Sequence, residues 1–117
     1  MPTSDGGELQ AFKADFFRAL AHPLRIRILE VLRTGEYSVQ QLQAKLDVSQ
    51  PVLSQQLGIL RLKNVLGTRK EGTTVRYFVR DPVVYELLDV ARRIFDRHLV
   101  GAQSLLRELR AEVKARR

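Results

Sequence analysis

The stretch SVQQLQAKLDVSQPVLSQQLGILR, Ser38 to Arg61, constrains this chain more than any other. Ser38 followed by Gln41 is a capping-box pattern, in which each side chain satisfies the other's backbone N–H and a helix begins. Leu42 and Leu46 then recur at helical spacing. Asp47-Val48 reads as a turn, Ser49 as the cap of a second helix, and Pro51 falls in its first turn, where a missing N–H leaves nothing unpaired. Two short helices joined by about three residues have the spacing of a helix-turn-helix. The second helix carries Leu53, Leu57 and Leu60 for burial, whereas Gln50, Ser54, Gln55 and Gln56 are expected on its outer face. Such a face, rich in amides and hydroxyls and poor in charge, needs something to touch.

The flanking segments extend the pattern. Leu9, Phe12, Phe16 and Leu20 predict an amphipathic helix over 8–20, after a loose start over 1–7. Pro23 opens a further helix, lined by Leu24, Ile28, Val31 and Leu32. Past the helix-turn-helix (38–64), the period changes. Val75, Tyr77 and Val79 alternate with Arg76, Phe78 and Arg80, and Glu71-Gly72 supplies a turn, so residues 66–80 read as a β-hairpin. A final helix over 82–114 keeps one apolar stripe from Val84 to Val113. Unbroken at Gly101, it would be about 50 Å long, more than a domain of this size can cover by itself, so a second copy in a two-fold dimer is expected to cover the remainder. The expected architecture is mainly α with a small β-hairpin (α+β), a single domain over 1–117 that dimerises through its first and last helices.

Charge locates the partner. The net charge is +7, but residues 1–60 are neutral, whereas 61–80 hold six bases and one acid. A concentrated basic segment inside the folded region points to a polyanion, foremost nucleic acid. A solvated basic surface is the competing account. The absence of cysteine excludes disulfides, thiolate metal sites and thiol nucleophiles. The two histidines lie far apart, and no glycine-rich phosphate loop or paired-carboxylate arrangement appears, so no enzyme chemistry is expected. The polar start is no signal peptide and no apolar run reaches about 18 residues, so a cytoplasmic protein with no membrane partner is expected.

Helix-turn-helix followed by a hairpin with a basic tip is the order of a winged helix. Lysine and arginine on the hairpin would meet phosphates, and short polar side chains on the second helix would read base edges in the major groove. Ordinary solvation of that helix face is the competing account.

Three segments, FFRALAHPLRIRILEVL (Phe16–Leu32), VSQPVLSQQLGILR (Val48–Arg61) and GTRKEGTTVRYFV (Gly67–Val79), together resemble the ArsR/SmtB family of small bacterial winged-helix regulators. The resemblance spans about residues 9–100. It implies a homodimer built on the first and last helices, binding double-stranded DNA at an operator and usually repressing until an effector arrives. It places Ser49, Gln50, Ser54, Gln55 and Gln56 on or near the recognition helix; Arg61 is expected as a flanking base that supplies charge. Arg69, Lys70, Thr73, Thr74 and Arg76 would form the wing.

The family often senses metals. Its cysteine site has no counterpart here, since the third helix reads YSVQQLQAKL. Its last-helix site would take Asp96 and His98 from one subunit and, from the other, a histidine and a carboxylate that fall here at Leu109 and Glu112. One ligand of four is missing. The remaining oxygen and nitrogen donors could hold nickel, zinc or cobalt only loosely. A small molecule or a partner protein is the other expected kind of effector. The rival reading is a winged-helix interaction scaffold that has lost DNA binding.

Overall fold

A computed structural model of the protein describes residues 7–115, apart from the side chain of Val100. The loose start expected for residues 1–6 lies outside the described residues, and Gly7 already belongs to the first helix. In chain order the elements are α1 (Gly7–Leu20), α2 (Pro23–Leu32), α3 (Val39–Leu46), α4 (Gln50–Leu62), β1 (Leu66–Glu71), β2 (Thr74–Val79) and α5 (Val83–Ala115). This is the mainly helical arrangement with one antiparallel hairpin that the periodicity predicts. By contacts the chain divides into two compact units, the first ending at Asp81 and the second beginning at Pro82.

Local chemistry sets the helix starts in the first unit. His22 is the N-cap of α2. Its Nδ1 accepts the Leu24 N–H at 3.1 Å, and Pro23 follows in the first turn, so this histidine is a structural joint. The capping box of α3 is complete: the Gln41 N–H donates to Ser38 Oγ at 3.2 Å, and the Ser38 N–H to Gln41 Oε1 at 2.9 Å. Asp47 ends α3 in the left-handed region (φ 54°), a conformation that a short polar side chain tolerates better than most. Arg27 Nη2 donates to the Leu46 carbonyl at 2.8 Å, satisfying one of the last carbonyls of α3.

The core lies among α2, α3 and α4. Ile28 and Leu29 meet Leu42 of α3 and Leu53, Leu57 and Leu60 of α4, and Leu66 of β1 joins them; all are fully buried. At about 1.5–3 kcal/mol for each such side chain, these residues hold the helix-turn-helix together far more strongly than its caps do.

The hairpin pairs Leu66 with Val79 through to Glu71 with Thr74, leaving a two-residue turn. Gly72 has φ 65°, and Thr73 has no positive φ. Glycine at the first central position alone is the II′ arrangement, whose twist suits paired strands. Buried Leu66 marks the inward face of the hairpin. The opposite face carries Gly67 opposite Phe78 and Arg69 opposite Arg76.

In the second unit, α5 is one helix of 33 residues that passes through Gly101 without a break. Ile94, Phe95, Leu99, Leu105, Leu106, Leu109 and Val113 are all exposed along it. Within the first unit, α1 is exposed in the same way at Leu9, Phe12, Phe16 and Phe17.

Candidate nucleic-acid interface

The outward stripe of α4 begins at its cap. Ser49 holds the N-cap position, yet its hydroxyl makes no capping hydrogen bond, so it remains available to an external partner. Gln50, Ser54, Gln55 and Arg61 are exposed, as expected. Gly58 is exposed among them, and a Cβ placed there would meet nothing within 4 Å.

Gln56 departs from the expectation. It is only 7% exposed, on the inner side beside Leu57 and Leu60. Its Oε1 accepts a hydrogen bond from Arg25 Nε at 2.7 Å. Six residues of helix separate Gln50 from Gln56, about 600° of rotation, or 240° net, which carries Gln56 off the face that Gln50 shares with Ser54. Gln56 is therefore removed from the set facing outward. Composition suggested the contrary because an uncharged amide is equally at home on a surface and in a satisfied buried pair.

The wing residues reach the surface in three electrostatic states. Arg69 Nη2 lies 3.3 Å from Glu36 Oε2, and its guanidinium sits 5.3 Å from the Phe78 ring centroid. Arg76 Nε lies 3.2 Å from Glu71 Oε2, with that nitrogen shielded from solvent and not aligned for a hydrogen bond. Lys70 is exposed and, among the described residues, has no carboxylate within ion-pair reach; the same is true of Arg61 and Arg80. Exposed pairs such as Arg69–Glu36 contribute little to stability, about 0–1 kcal/mol, so they open readily when a phosphate competes.

The wing turn meets the starts of α3 and α4. A cleft of about 360 Å³ is lined by Val39 and Gln40 of α3, Gln50 at the start of α4, and Thr73, Thr74 and Val75 of the hairpin. The amides of two helix starts and the hydroxyls of the wing turn therefore share one surface, and Lys70 lies one residue from that turn. Gln40 was not among the residues singled out from the sequence. Its place in the first turn of α3 was legible, but the return of the wing to that turn was not.

Asp96, His98 and Glu112 all lie on α5. His98 and Glu112 are fourteen residues apart, about 21 Å along the axis, and Asp96 and His98 point about 200° apart around it. Within one protomer they do not converge. Among the described residues no group of three or more histidine or carboxylate side chains is placed to hold a metal ion. Any last-helix site would have to be assembled from two subunits, with apolar Leu109 in place of one donor. Within one protomer these residues form no metal centre.

Comparison with known proteins agrees with this geometry. Residues 22–65 match the family described as "Bacterial regulatory protein, arsR family". The chain is 42% identical over 104 residues to the uncharacterized HTH-type transcriptional regulator Rv0081 of Mycobacterium tuberculosis, covering 88% of this chain and 91% of that protein. The crystal structure of Rv0081 superposes with a TM-score of 0.73, over 80% of this chain and 94% of the other. A biofilm growth-associated repressor of Agrobacterium fabrum is 40% identical over 82 residues, 70% of each chain. The solution structure of a homodimeric winged helix-turn-helix DNA-binding domain from Mycobacterium bovis, a possible ArsR-family regulator, superposes with a TM-score of 0.72 at 28% identity, over 83% of this chain and 91% of that one. None of the helices described is long and apolar enough to cross a membrane. The matched segment begins at the cap of α2, runs through the helix-turn-helix and ends one residue before β1. This chain belongs to the ArsR family and is a DNA-binding transcriptional regulator, not an enzyme.

Proposed function

We propose that two copies of this chain bind an operator in double-stranded DNA and repress transcription there by occupying it; the Agrobacterium relative is named a repressor. Ser49, Gln50, Ser54 and Gln55 enter the major groove, joined at its edge by Gln40. Lys70, Thr73, Thr74, Arg69 and Arg76 grip the adjoining phosphates, and Arg61 extends the contact along α4. The observation that carries this reading is the shared cleft between the starts of α3 and α4 and the wing turn. It lets one duplex engage base-reading and phosphate-binding groups together. The exposed apolar faces of α1 and of α5 support the dimer, since monomeric proteins rarely expose contiguous apolar area on that scale. A scaffold without DNA binding would have no use for an unpaired Lys70 beside a polar cleft.

The effector is read as a small molecule or a partner protein, acting in the cytoplasm, because the donor set on α5 does not suit a metal. The test is titration of duplex DNA selected by the protein from a random-sequence library, over a range of salt. Affinity should fall linearly on a log–log plot, with a slope of about −0.9 per phosphate neutralised. Binding that is absent even at low salt would refute DNA recognition. Sedimentation showing a folded monomer at micromolar concentration would refute the dimer.

A further inference from the structure

The recognition helix must present Ser54 and Gln55 at a definite rotation about its own axis. Leu53, Leu57 and Leu60 hold α4 to the core, but apolar contact is non-directional, and a leucine face tolerates small rotations and slides. A buried amide does not, because moving it breaks its hydrogen bond and leaves an unsatisfied group behind. Gln56 is the buried polar side chain of α4. Its position next to Gln55 means that whatever fixes Gln56 also fixes the direction of the groove-facing residues.

We propose that Arg25 is a positioning residue, which locks the rotation of the recognition helix and ties it to the end of α1. The inference rests on the reading that α4 enters DNA. One half-buried guanidinium makes three contacts that reach two other helices. Its Nε donates to Gln56 Oε1 at 2.7 Å, and its Nη1 donates to the carbonyls of Arg18 and Ala19 at 3.2 Å each. Those carbonyls lie in the last turn of α1, where helix geometry leaves carbonyl acceptors to spare; that of Arg18 also accepts the Ala21 N–H at 3.1 Å. Arg25 itself is anchored in the first turns of α2. A guanidinium is planar and rigid, so the directions of Nε and Nη1 are coupled. A shift at the end of α1 therefore displaces the donor that Gln56 requires.

This gives the fold a route from partner to DNA. Helix α1 carries Phe12, 74% exposed, with Leu9, Phe16 and Phe17 also open to solvent. In the proposed dimer a second copy covers that face. Seating of the partner then sets the end of α1, Arg25 carries the setting to Gln56, and α4 takes the rotation at which Ser54 and Gln55 address one groove. An event that loosens the partner's grip on α1 would free α4 without touching its DNA surface.

The experiment compares wild type, Arg25→Lys, Arg25→Met, Gln56→Met, Gln56→Glu and the Arg25→Met/Gln56→Met double variant. The probe is the duplex selected by wild type from a random library, with a scrambled duplex as reference and thermal melting alongside. Arg25→Lys keeps the charge but loses the fork, and it should lose affinity for the selected duplex by about tenfold while the scrambled duplex changes little. Arg25→Met and Gln56→Met should do the same singly, and the double variant should be no worse than either, since the two act as one unit. Gln56→Glu, whose carboxylate also accepts from Nε, should stay within about threefold of wild type. The slope of log affinity against log salt should be unchanged throughout.

A slope reduced by about one in Arg25→Met but not in Gln56→Met would make Arg25 a phosphate contact and overturn the proposal. Additive losses in the double variant, or melting temperatures that fall with no change in affinity for the folded protein, would overturn it too. If wild type itself binds no duplex, the DNA reading fails first; if wild type binds and the variants match it, only the positioning role fails.

Discussion

Tyr37 and Tyr77 exchange both of their backbone hydrogen bonds, the Tyr77 N–H to the Tyr37 carbonyl at 2.8 Å and the Tyr37 N–H to the Tyr77 carbonyl at 3.3 Å. The exchange adds a one-residue third strand beside β2, drawn from the linker between α2 and α3. Tyr37 is held there in turn: its hydroxyl lies 2.7 Å from Thr34 Oγ1, and Lys45 Nζ sits 4.7 Å from its ring centroid. The next residue is Ser38, the cap of α3. An isolated two-stranded hairpin is marginal in water, so this bridge, together with buried Leu66, ties the wing to the helix-turn-helix.

Tyr37→Pro removes one donor of the bridge. It should weaken binding to every duplex and loosen the wing, seen as faster amide exchange over 66–79. Tyr37→Phe keeps the bridge and loses only the hydroxyl contact, so it should cost about 1 kcal/mol in stability and leave DNA affinity nearly intact. Equal effects of the two on DNA binding would show that the side chain, not the backbone bridge, places the wing.

Wing and helix should separate in a specificity assay. Lys70→Ala should weaken selected and scrambled duplexes by the same factor and reduce the salt slope by about one. Ser54→Ala or Gln55→Ala should change the preferred sequence, with about 1–3 kcal/mol of discrimination lost at the affected base pair. Arg69→Ala should act like Lys70→Ala but more weakly, because Arg69 gives up its ion pair with Glu36 on binding. Competition among randomised duplexes, sequenced after binding, distinguishes the two classes.

Gly58→Ala should move stability and DNA affinity in opposite directions. The added methyl meets nothing in the free protein, and alanine is favoured over glycine inside a helix by about 1 kcal/mol. The melting temperature should rise, while the methyl on the groove-facing side should weaken operator binding. An affinity that rises or stays level would place Gly58 away from the duplex.

His98→Ala should leave nickel, zinc and cobalt binding unchanged in equilibrium dialysis, with both proteins binding weakly. Tight binding by wild type that the substitution abolishes would show that two subunits do complete a site on α5, and would restore a metal as the effector.

Much of the candidate interface was legible in the residues because it depends on local signals. Ser38 with Gln41, Asp47, Ser49 and Pro51 announce two helices and a turn by short-range hydrogen bonding and backbone preference, and no distant contact overrules them. Gly72 likewise declares its turn. Gln56 sits three residues after Leu53 and four before Leu60, so helix rotation alone puts it on the leucine face; its amide character pointed outward instead, because its partner Arg25 lies thirty-one residues away. Gln40 was overlooked because its value comes from the wing turn that folds back to it.

Unaided, the sequence determined the order and type of the elements, the leucine core of the helix-turn-helix and the concentration of positive charge in the wing. These follow from side-chain period, capping and composition, which act within a few residues. The tertiary structure decided what the inward amide pairs with, which cations are already paired, and where the wing turn meets the starts of α3 and α4. Those outcomes turn on long-range hydrogen bonds, Arg25 to Gln56 and Tyr37 to Tyr77, whose partners only the folded chain brings together.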